Sequence, residues 1–220
     1  MGSDDLESVT VLSDPVRREL YRFVVAQGRE VGRNEAAEAA GIQRTLAAFH
    51  LDKLVDAGLL EAGFKRLTER AGPGGGRPAK VYRRAAADRV VSLPPRDYRT
   101  LALVLAEVVD LLGGDEQAEA AARRAGERLA RSAEPPADLA AVLADRGYEP
   151  YEEGGALRLR NCPFHVLAEE HPLLVCSMNL ALCQGLLDGL GEERTAVRLD
   201  PRPGECCVAF SAEPSKNNGD

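Results

Sequence analysis

The chain has 220 residues, 45% of them hydrophobic, and a formal net charge of −7. That length suggests two domains of ordinary size, and the apolar share is enough to fill real cores. The acidic balance excludes indiscriminate nucleic-acid binding, but the average conceals an asymmetry. From Asp14 to Arg96, 16 Lys and Arg stand against 10 Asp and Glu, a net of +6, while the rest of the chain carries −13. A basic module joined to an acidic one fits nucleic-acid binding at one end only.

Residues 1–12 are acidic, lack the pattern of a signal peptide and are expected to be disordered. Ser13-Asp14-Pro15 is a helix start, a capping side chain followed by proline, and Val16, Leu20, Phe23 and Val24 recur at helical spacing as far as about Ala26. A second helix is predicted over about 34–40, a turn at Gly41, and a third helix ending at Ala57-Gly58. In that third helix Leu46, Leu51, Leu54 and Val55 are expected to form the buried stripe, and His50 beside it could be packed or exposed to a partner. Two strands, 59–67 and 79–84, are predicted to pair across the glycine-rich loop Gly72 to Pro78, and Leu93-Pro94-Pro95 marks a boundary.

Beyond it, residues 96–112 form an amphipathic helix, a surface suited to pairing two copies of the chain, and Glu116 to Arg131 form a polar, alanine-rich one. A short helix to about Arg146 and a hairpin, 148–151 with 156–160, come next. A long helix spans about 172–190, and strands cover 195–199 and 206–211; the tail 215–220 is expected to be disordered. The longest apolar stretch, Leu173 to Leu187, is interrupted by Asn179 and Gln184 and is expected to be too short to span a bilayer. A cytoplasmic protein is therefore expected, in which five cysteines serve as ligands or redox groups rather than disulfides.

The expected fold is α+β: an N-terminal winged helix-turn-helix over 13–95, a helical linker, and an α/β sensor domain within 96–212. The third helix would lie in the major groove of DNA, with Arg44, Thr45, Ala48 and Lys53 turned outward to bases and phosphates. Arg77 at the loop tip suits the electronegative minor groove, and Lys80, with Lys65, Arg66, Arg83 and Arg84, can neutralise phosphates.

Ser13-Asp14-Pro15-Val16-Arg17-Arg18, Ala48 to Leu54 and Gly76 to Tyr82 resemble the winged-helix half of bacterial ArsR/DeoR-like transcriptional regulators. The resemblance extends through Asn161-Cys162-Pro163-Phe164-His165, His171-Pro172 to Cys176, and Gly204 to Phe210, where it is closest to SufR-like repressors of iron–sulfur cluster assembly. It implies an iron–sulfur cluster held by cysteines. A homodimer on palindromic double-stranded DNA, without enzymatic activity and with its binding controlled by the cluster, is the expected protein.

By motif, Cys162, Cys176 and Cys206 carry the resemblance, while Val197 stands where a further cysteine is usual. The fourth ligand is then Cys207, Cys183 or a group such as His165. Independently of the resemblance, Cys162 beside Pro163 suits a helix N-terminus, where a thiolate is stabilised. Cys206 and Cys207 fall in a predicted strand, so their side chains would point to opposite faces. Cys176 and Cys183, seven residues apart, lie about 10 Å apart along one helix, against roughly 4 Å between sulfurs on one zinc ion. Cys183 therefore reads as core before it reads as a ligand. Zinc through Cys162, His165, Cys176 and one of the pair, buried cysteines with no metal, and a sensor for a small organic ligand remain as alternatives. So do a thiol oxidoreductase and a winged helix that binds protein rather than DNA.

Overall fold

The computed structural model describes residues 3–65, 78–86, 91, 96–133 and 138–212, and the chain divides into two compact units, Met1–Arg96 and Asp97–Asp220. The first begins with α1 (Ser3–Thr10) and a 3-10 turn (Val11–Ser13), so the stretch expected to be disordered is largely helical. What anchors it is Ser8, a buried side chain whose hydroxyl donates to the Ala57 carbonyl at 2.7 Å. In α2 (Pro15–Gln27) the Asp14 carboxylate accepts from the amides of Val16 and Arg17 at 2.9 and 3.1 Å, and Gly28 closes the helix in the left-handed conformation.

The turn between α3 (Arg33–Ala39) and α4 (Arg44–Asp56) uses Gly41 at φ +61°, where a side chain is disfavoured. The buried stripe of α4 is Ala47, His50, Leu51 and Leu54, packed with Leu20, Val24, Ala36 and Tyr82. Leu46, expected in that stripe, is instead exposed, because it lies on the flank of the helix. Strands β2 (Leu60–Lys65) and β3 (Ala79–Arg84) pair antiparallel from Leu60 with Arg84 to Lys65 with Ala79. A two-residue strand, β1 (Val31–Gly32), adds to the outer edge of β3 and was not legible in the sequence. Three helices and a β-hairpin of this order form a winged helix-turn-helix.

The second unit has helices α5 (Tyr98–Leu112), α6 (Asp115–Arg131), α7 (Leu139–Ala144), α8 (His165–Glu170) and α9 (Pro172–Leu190). Its antiparallel sheet has the order β4-β5-β7-β6, from β4 (Pro150–Glu153), β5 (Ala156–Leu159), β6 (Thr195–Leu199) and β7 (Val208–Ala212). Its core joins Leu143, Leu159, Cys183, Leu186, Val208 and Phe210.

Helix α6 is not a linker; it lies directly on α9. A β-carbon placed on Gly185 would stand 1.9 Å from the Arg123 carbonyl oxygen, and one on Gly126 would stand 2.0 Å from that of Leu182. The backbones therefore touch, and only glycine fits at the crossing. Helix α9 is long and apolar enough to cross a bilayer by length and composition. Length therefore does not exclude it, contrary to the sequence expectation. Leu174, Val175, Asn179, Ala181, Cys183, Gly185, Leu186 and Leu187 are nevertheless buried inside the unit.

Helix α5 contrasts with α9. None of its residues is buried, and Leu101, Val104, Leu105, Val108, Leu111 and Leu112 are all exposed. It is tied to the α8–α9 junction by polar contacts. His171 Nδ1 lies 2.6 Å from Asp110, and Arg99 lies 3.5 Å from Glu170.

Candidate functional site

Two sets of residues were singled out in the sequence, one in each unit. In the first, Arg44 and Thr45 open α4 and are exposed, Ala48 is half-buried, and Lys53 is exposed 3.5 Å from Asp56. His50 is buried, its ring edge-on to that of Phe49 with centroids 5.4 Å apart, so it is a packing residue of α4. Arg77 and Arg66 lie outside the described residues.

Lys80 is less available than expected. Its ammonium pairs with Asp52 at 2.7 Å, and the same carboxylate oxygen accepts from the Tyr82 hydroxyl at 2.8 Å. Burial alone would raise the Asp52 carboxyl, but the bonds from Lys80 and Tyr82 outweigh it and hold the group below its ordinary value. Burial and the neighbouring carboxylate push the Tyr82 hydroxyl up. The contact stitches α4 to β3.

Because the folded Asp52 titrates below its unfolded value, its contribution is complete above the ordinary carboxylate range near pH ~4. It is lost as pH falls through the folded value. Asp52→Asn is therefore expected to lower the thermal stability of the chain near neutrality and to flatten its loss on acidification. Melting curves of both proteins between about pH 6 and 3 check this; parallel curves contradict it.

In the second unit, Cys162 lies between β5 and α8, Cys176 on α9, and Cys206 and Cys207 in the loop before β7. The expectation that the pair sits in a strand with opposed side chains is corrected by this placement. Freed from strand alternation, the two turn to different neighbours in one cluster. Cys162 and Cys207 pack against the core that holds Cys206 and Cys183, and electrostatic coupling links Cys162 with Cys206, Cys206 with Cys207, and Cys207 with Cys176. Thiols from three segments thus neighbour one another.

Of these, Cys206 is the one whose charged form is favoured. Cys206 is held down by bonds from the Cys162 and Cys207 thiols, joined by the Val208 amide and the Asn179 side chain. Cys162 and Cys207 are both raised, first by donating to Cys206 and then by burial. Cys183 is fully buried, its thiol pushed up to about 12 by burial, and it donates to Asn179 at 3.8 Å, among core residues.

Asn179 is the residue that sequence reasoning missed. This buried amide accepts from the Tyr148 hydroxyl at 2.5 Å and donates to Cys206 Sγ at 3.3 Å. The signal in the sequence is an asparagine in the middle of an apolar helix, which by itself reads only as an interruption.

The cysteine loop is fastened by Arg158, whose side chain is 2% exposed. Its guanidinium donates to Asp200 at 2.6 Å and to Glu205 at 3.1 Å, while the Tyr151 hydroxyl donates to Glu205. The Cys206 amide donates to the Leu159 carbonyl at 2.9 Å. His165 points elsewhere: it is exposed and pairs with Glu169 at 3.2 Å. Among the described residues, no three His, Cys, Asp or Glu side chains surround a point that could hold a single metal ion.

Residues 12–62 match the family model described as a helix-turn-helix domain. The matched segment runs from the 3-10 turn before α2 into β2 and includes all of α4. No curated protein and no solved structure matches the chain. The match and the winged architecture together support a DNA-binding transcriptional regulator.

Proposed function

We propose that the chain is a cytoplasmic, homodimeric transcriptional repressor of SufR-like type, without enzymatic activity. In this reading the thiols of the second unit govern its hold on a palindromic operator. The observation that carries it is the gathering of Cys162, Cys206 and Cys207 in one packed cluster, with Cys176 electrostatically linked to Cys207, in a protein whose other unit matches a helix-turn-helix domain.

The donor chemistry fits an iron–sulfur cluster. It consists of four thiols, a position where negative charge is favoured, and an amide donor at 3.3 Å from the favoured sulfur. Zinc held through His165 fits poorly, since that imidazole is exposed beside Glu169. When bound, such a cluster supplies sensitivity to iron supply and to oxidants. The protein's own part is to hold the cysteine loop through Arg158 and to join the α8–α9 junction to α5 through His171 and Arg99.

Anaerobic purification with iron, sulfide and zinc quantification tests the reading. Iron and acid-labile sulfide are expected in the native chain and are expected to be lost in Cys206→Ser. Their absence from the native chain removes the cluster.

The dimer is proposed to form through α5. Leu101, Val104, Leu105 and Val108 recur at helical spacing, and each is at least 43% exposed. Leu105→Glu is expected to convert a dimer into a monomer in sedimentation at micromolar concentration. A native monomer overturns the assignment.

A second reading has its own support. A depression of about 390 Å³ lined by Asp138, Leu157, Glu192, Phe210 and Ser211 could admit a small organic ligand. Release of DNA by such a ligand, unaffected by cysteine substitution, would favour it.

A further inference from the structure

The outward face of α4 is unexpectedly apolar for a surface that would meet DNA. At 100° per residue, Ala47, His50, Leu51 and Leu54 define the buried side. Thr45, Phe49 and Asp52 lie opposite, with Thr45 at the centre and Phe49 beside it on the side of Leu46. Phe49 is 54% exposed, and Leu46, one turn before it on the adjoining flank, is 44% exposed. Single exposed apolar residues are ordinary, but these two adjoin on the element of a helix-turn-helix that enters the major groove.

The charged residues near them are largely engaged. Lys53 faces Asp56, and Asp52 is held by Lys80 and Tyr82 on β3. That leaves a hydroxyl, an aromatic ring and a leucine together near the N-terminal half of the helix. The major groove offers one apolar feature, the C5-methyl of thymine.

We propose that Phe49, flanked by Thr45 and Leu46, reads thymine methyl groups, so that the operator half-site requires a thymine at the position facing the ring. The proposal rests on the DNA-binding reading above and specifies which base feature that helix selects. Phe49 is a specificity residue, and Arg44 at the helix start supplies affinity.

The test uses the full chain. Duplexes are enriched from a random library, and in the preferred sequence each thymine is replaced singly by deoxyuridine, which removes only the methyl. The native chain is expected to lose roughly three- to fivefold in affinity at one position or more, the worth of a buried methyl. Phe49→Ala, with an unchanged melting curve, is expected to bind the thymine and uracil duplexes equally at that position. Phe49→Leu is expected to keep part of the difference.

Indifference of the native chain to every replacement overturns the proposal, and so does full discrimination by Phe49→Ala. If no duplex is enriched, the DNA-binding reading itself falls. The two failures are therefore distinguishable.

Discussion

Gly185→Ala is expected to unfold the second unit or to cost it at least about 4 kcal/mol. On an exposed helix the same change is favourable by roughly 1 kcal/mol, because alanine is the better helix former. Here the added carbon falls 1.9 Å from the Arg123 carbonyl oxygen, less than any non-bonded contact allows, and the obstacle is backbone, which cannot rotate aside. Relief requires α6 and α9 to separate, and that would open the core around Cys183, Leu186 and Leu187.

Gly189→Ala supplies the graded comparison. Its added carbon would meet the Ala130 β-carbon at 2.6 Å, a side-chain atom at the periphery of the crossing. A smaller loss, about 1 to 3 kcal/mol, is expected. Chemical denaturation of the three proteins checks the order. Equal stability of Gly185→Ala and the native chain would show that the helices do not cross this closely.

Arg44→Ala is expected to weaken binding of the preferred duplex by roughly ten- to a hundredfold, the range for losing a charged contact to a base edge or a tightly held phosphate. Arg44 occupies the first turn of α4 and is exposed, where a helix entering the groove makes its first contacts. The salt dependence of affinity tells which contact is lost. A slope reduced by about one unit identifies a phosphate, and an unchanged slope with relaxed sequence preference identifies a base. Stability should be unaffected, since the side chain lies outside the core. Unchanged affinity would shift the binding role to other elements of the unit.

The winged unit was legible because its signals are local. Asp14-Pro15 announces α2, Gly41 the turn, and the glycine-rich loop the hairpin, whose strands are neighbours along the chain. What the local signals miss there depends on helix phase: Leu46 lies on the flank and not in the buried stripe, and Phe49 is exposed.

The second unit was harder because its determinants are distant in sequence. Gly126 and Gly185 have meaning only against each other. Arg158 acquires its partners from residues 200 and 205, across more than 40 positions. Val208 and Phe210 suggest an alternation that would carry Cys206 and Cys207 into the strand, whereas the strand begins at Val208. The grouping of Cys162, Cys176 and Cys206 was inferred from resemblance, and spacing alone could not have produced it.

The backbone contact between α6 and α9 also has a mechanical consequence. Helices separated by large side chains can slide as those side chains change rotamer, whereas two main chains in contact have nothing between them to rearrange. The pair should therefore behave as a stiff beam, about 28 Å along α9 at 1.5 Å per residue. Cys176 sits near one end of that beam and Leu190 at the other, just before β6. Any displacement of the thiol end must swing the whole beam, so motion at the cysteines is delivered as rotation rather than absorbed locally.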